Sequence, residues 1–61
     1  MKATDLELIL DGCALLEANG NYYEYIGNVD GCLCFQNVLN DSYIKSTYER
    51  MLNRSDCYAV Q

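Results

Sequence analysis

Tyr22-Tyr23-Glu24-Tyr25-Ile26-Gly27-Asn28-Val29-Asp30-Gly31-Cys32-Leu33-Cys34-Phe35-Gln36-Asn37-Val38 consists of two β-rich runs on either side of Asp30-Gly31. Tyrosine, isoleucine, valine and phenylalanine suit a pleated, half-buried surface, and an Asp-Gly pair favours the two left-handed conformations of a type I′ turn. A hairpin over about 22–38 is expected. If its ladder is regular, Val29 opposes Cys32, Gly27 opposes Cys34, Tyr25 opposes Gln36 and Tyr23 opposes Val38 on one face. Ile26 with Phe35 and Asn28 with Leu33 then fall on the other. Neither face is cleanly polar, so one is expected to be covered by helices and the other to meet something else.

Upstream, Thr4 and Glu7 have the spacing of a capping box, and Leu6, Ile9, Leu10, Cys13, Leu15 and Leu16 recur at helical intervals. These features predict a helix over about 5–19 that stops at Gly20. Asp11-Gly12 supports a rival reading, a turn between two short strands, and Gly12 costs a continuous helix about 1 kcal/mol. Downstream, Asn40, Asp41 and Ser42 offer caps, and Ile44, Tyr48, Met51 and Leu52 form a stripe, predicting a second helix over about 42–54. The tail Cys57-Tyr58-Ala59-Val60 alternates weakly and suits either a short third strand or a frayed end. The expected fold class is α+β: one small domain, helix, β-hairpin, helix.

At 6.9 kDa the chain is expected to bury about 6,000 Å² on folding, roughly 60% of its extended surface. The resulting hydrophobic gain, on the order of 90 kcal/mol, is matched by an ordering cost also on the order of 90 kcal/mol. A disulfide, a metal or a partner would therefore add a useful margin.

The formal net charge is -5, with nine acids, four bases and no histidine. Between Ala3 and Ile44 there is no lysine or arginine at all. Such a surface repels phosphate and anionic lipid and attracts basic surfaces, so direct nucleic-acid or membrane binding is not expected. The acids serve solubility on one reading. On another they face a basic groove on a partner and compete there with nucleic acid. The start Met1-Lys2-Ala3-Thr4-Asp5 lacks the apolar run of a secretion signal, which for a complete gene product makes the cytoplasm the expected compartment.

Cys13, Cys32, Cys34 and Cys57 are the soft-metal candidates. Only Cys32 and Cys34 are close, separated by one residue rather than the two to four of a zinc knuckle, and no histidine completes a set. Buried free thiols are the favoured reading; disulfides from Cys13 and Cys57 to the hairpin thiols are the alternative. No metal or other cofactor is expected. No base stands ready to activate a thiol, and the glycines form no phosphate loop, so no enzyme activity is expected.

Six tyrosines are many for this length. Tyr22, Tyr23 and Tyr25, with Glu24 and Asp30 beside them, are the candidate protein-binding residues, because tyrosine gives large contact area at low entropic cost. The expected function is a small non-catalytic protein-binding module, an inhibitor or regulator occupying a basic or nucleic-acid-binding surface. A structural homodimer joined through the uncovered hairpin face is the alternative, and a thiol-based metal or redox site a lesser one.

Overall fold

The computed structural model describes all 61 residues, Met1–Gln61. Its elements are α1 (Ala3–Leu10), β1 (Leu15–Ala18), β2 (Asn21–Val29), β3 (Cys32–Asn37), β4 (Tyr43–Ser46), α2 (Tyr48–Asn53) and β5 (Cys57–Val60). The protein is a small single α+β domain in which two helices accompany a curled, five-stranded antiparallel sheet in the order β4-β3-β2-β1-β5. It is a half-barrel rather than a simple hairpin between two helices. The folded chain exposes 3939 Å², close to what area scaling gives for its mass.

The first helix is half as long as the leucine spacing predicts, and the reason is Gly12. The N–H of Gly12 donates to Ile9 O at 3.1 Å and that of Cys13 to Leu8 O at 2.9 Å, with Gly12 at φ +80°. This is a Schellman motif, which closes a helix with a residue in the left-handed region that glycine enters without steric cost. The capping box is not formed either: the N-cap is Lys2, and no side chain bonds the first turn. An isolated helix of this length is marginal, and α1 is held by burying Leu6 and Ile9 completely.

Past Gly12 the expected helical continuation is strand β1. Asn19-Gly20, expected to end a helix, instead turns β1 into β2, with positive φ at both residues and Ala18 paired with Asn21. That is the same two-residue turn geometry as Asp30-Gly31, where φ is 53° and 79°. The second predicted helix is likewise divided. Tyr43–Ser46 pairs with β3, and α2 begins only after Thr47, whose Oγ1 accepts the Arg50 N–H at 3.2 Å. The tail does form a strand, β5, but it pairs with β1, remote from the hairpin.

The β2–β3 register matches expectation from the turn as far as Gly27 opposite Cys34, and then shifts. Tyr25 pairs with Phe35, Glu24 with Gln36 and Tyr23 with Asn37, leaving Ile26 as an extra residue in a β-bulge. One inserted residue exchanges the faces of everything beyond it. Tyr23 and Tyr25 thereby join Phe35 and Leu33 on the side facing the helices. The core comprises Leu6, Ile9, Leu16, Tyr23, Leu33, Phe35, Met51 and Cys57 with small Ala14 and Ala18. Buried Asn37 accepts the Leu39 N–H at 2.8 Å through its side-chain oxygen, and no buried side-chain nitrogen or oxygen lacks a partner.

Candidate functional site

Register and alternation assign each strand residue to one of two sheet faces. The helices cover one of them, with α1 lying against β5, β2 and α2. The other, the outer face, carries Tyr22, Glu24 and Val29 from β2, Leu15 and Glu17 from β1, Tyr43 and Lys45 from β4, and Tyr58 and Val60 from β5. Val38 extends it, since its N–H donates to Tyr22 O at 3.0 Å. Tyr22, Val29, Val38, Tyr43 and Tyr58 are all exposed there, and the bulged Ile26 is exposed beside the ladder. No helix crosses this surface.

The candidate binding residues are divided by the bulge. Tyr22 and Glu24 are exposed on the outer face, and Asp30 is exposed at the tip of the β2–β3 turn. Tyr23, only 9% exposed, and the half-buried Tyr25 belong to the core side and are not part of that surface. The residues missed by sequence reasoning are Leu15, Tyr58 and Val60, which reach the outer face through β1 and β5. Asn19-Gly20 was the signal that could have found them, because it is as strong a hairpin mark as Asp30-Gly31.

On this face the segment leaving α1 borders a cavity of about 400 Å³. It is open to solvent; Gly12, Cys13, Ala14 and Gln61 line it together with the apolar Leu15, Tyr22, Val38 and Val60. The volume lies within the range of about 300–1,000 Å³ typical of ligand pockets. All its lining residues fall within 12–38 or 60–61, stretches that contain no lysine or arginine. Glu17 pairs across the ladder with Tyr22, and Glu24 lies two residues along β2 on the same face. Asp11 precedes the cavity's first residue and is exposed.

The bases are placed elsewhere. Lys2 is the N-cap of α1, Arg50 lies in α2 and Arg54 is its C-cap, so only Lys45 is on the outer face. Arg54 holds Asp56 in a two-pronged pair, Nε to Oδ1 at 3.0 Å and Nη2 to Oδ2 at 2.8 Å. That hydrogen bonding lowers the Asp56 carboxyl to about 2. Burial pushes the Cys57 thiol up, despite nearby Arg54, and its Sγ donates to Asp56 Oδ1. These groups anchor the start of β5 against α2.

All four cysteines are free: Cys34 and Cys57 are buried, Cys32 is half-buried and Cys13 is exposed. No three histidine, cysteine, aspartate or glutamate side chains gather where an ion would need them. No helix is long and apolar enough to cross a membrane. No protein-family model, curated protein or solved structure matches the chain.

Proposed function

We propose that this protein is a non-catalytic protein-binding module that occupies a basic surface of a larger protein, as an inhibitor or regulator does, through the outer face of its sheet. The observation that carries the reading is the sorting of side chains between the two layers. Exposed Tyr22, Val29, Val38, Tyr43 and Tyr58 share one face with Glu17 and Glu24, while three of the four bases, Lys2, Arg50 and Arg54, lie in or beside the helices. Contiguous exposed apolar surface of this kind marks interaction sites, and tyrosine is enriched at their centres. A partner rich in lysine and arginine would be attracted by the chain's formal net charge of -5 and, on the outer face, by Glu17 and Glu24.

The test is photo-cross-linking in the producing cell, with a benzoyl-phenylalanine placed at Tyr43, Tyr58 or, as the control, Arg50. A common adduct from the two sheet positions and none from Arg50 supports the reading. Equal adducts from all three, or none from the sheet, would overturn it.

A homodimer through the same face is the second reading. It is favoured by the exposed Tyr22, Val29, Val38, Tyr43 and Tyr58, which form one uncovered apolar face that a second copy would bury. A melting temperature that falls on hundredfold dilution would favour it over the first.

A further inference from the structure

Resting on the outer-face reading, we infer that the cavity between the Gly12–Ala14 segment and the sheet is the anchor point of that surface: it takes one large apolar side chain from a partner segment carrying lysine or arginine on either side. Apolar walls alone would accept any greasy group. The surroundings narrow the choice. Leu15, Tyr22, Val38 and Val60 present the apolar contact, and Glu17, Glu24 and Asp11 are the charged groups nearest them along the strands and the entering loop.

The chain is without a base from Ala3 to Ile44 and again from Ser55 to Gln61, and Lys45, the one base on the outer face, forms no ion pair with these carboxylates. Asp11 and Glu24 are exposed and Glu17 is half-buried, and none of the three is in an ion pair, the sole such pair being Arg54 with Asp56. Glu17 accepts only the Gly20 N–H, at 2.9 Å, which leaves its second oxygen open. A flanking lysine or arginine would find charge-assisted partners in Asp11, Glu17 or Glu24. A second copy of this chain fits poorly, because its own outer face would bring glutamates against glutamates.

The experiment uses the ¹⁵N-labelled full chain and three blocked hexapeptides: Leu-Phe flanked by two Lys or Arg on each side, the same core flanked by Glu, and Ser-Ser flanked by Lys and Arg. Only the apolar-basic peptide is expected to bind, moving the amides of Leu15, Tyr22, Val38 and Val60. V38D should weaken it about tenfold or more, and E24K should weaken it in low salt while leaving the Phe35 and Leu6 signals in place. V60T is a milder second variant should V38D fail to fold. Equal binding of the acidic or the Ser-Ser peptide, shifts outside the cavity, or no binding by any peptide would overturn the anchor. Concentration-dependent shifts of the same amides without peptide would overturn it in favour of a second copy. Cross-links from Tyr43 and Tyr58 that survive V38D would leave the face-level reading standing while the anchor falls.

Discussion

Tyr25 and Phe35 meet across the β2–β3 ladder with ring centroids 5.6 Å apart and planes tilted by 54°. The pairing exists because Ile26 is an extra residue; in a regular ladder Tyr25 would oppose Gln36 and lie on the other face. A tilted aromatic pair contributes about 0.5–1.5 kcal/mol beyond its area. Phe35 is fully buried. Phe35→Ala is therefore expected to cost about 3–5 kcal/mol, enough to leave a domain of this size largely unfolded, and circular dichroism at 25 °C checks it.

Gly12 ends α1 at φ +80°, and a Cβ added there would meet no atom within 4 Å. The cost of Gly12→Ala is thus conformational, expected at about 1–2 kcal/mol, whereas Gly12→Asn, which tolerates the left-handed region, should cost less. Urea midpoints of the two variants give the comparison.

The Met1 ammonium donates to the backbone oxygens of Leu52, at 3.1 Å, and Arg54. A positive group at the C-terminal end of α2 stabilises its exposed carbonyls. Acetylating that amine in the 61-residue chain should lower stability by about 0.3–1 kcal/mol, read as a shift in melting temperature against the unmodified chain.

Asp56 has a folded pKa of about 2 against an ordinary 3.8, chiefly through its hydrogen bonds from Arg54. A depressed acid stabilises the fold when ionised, so its contribution is present above about pH 4 and fades as pH falls toward 2. Wild type and D56N should differ in urea midpoint at pH 5 and converge near pH 2, with salt narrowing the gap because the pair is exposed to solvent. A gap that stays constant across this range would show that the pair does not act through ionisation.

Thiol labelling should follow burial. Cys13 is expected to react first and Cys32 next, while Cys34 and Cys57 wait for opening of the sheet, at least about a hundredfold slower. Timed alkylation followed by peptide mass spectrometry gives all the rates in one series.

The hairpin was legible because Asp30-Gly31 prescribes its own geometry. The bulge was not: Ile26 carries no local mark that it will be skipped, and the shift is decided by which face the helices bury. Leucine and alanine spacing through Leu15–Ala18 mimicked a helix, yet pairing with β2 on one side and β5 on the other overrode it. Thr47 was a readable cap that shortens the second helix, but Asn40, Asp41 and Ser42 compete with it as caps. Of the candidate binding residues, Tyr22, Glu24 and Asp30 are exposed, whereas the bulge turns Tyr23 and Tyr25 to the helix side.

The half-barrel is left open between β4 and β5, and both bordering strands are only four residues long. A sheet with two unpaired borders could in principle recruit copies of itself into a filament, one border docking onto the other. Here each border offers too few backbone groups to hold such a junction without side-chain help, and Lys45 stands on one of them. It is thus the shortness of the two borders, rather than closure of the sheet, that limits strand-to-strand pairing between copies.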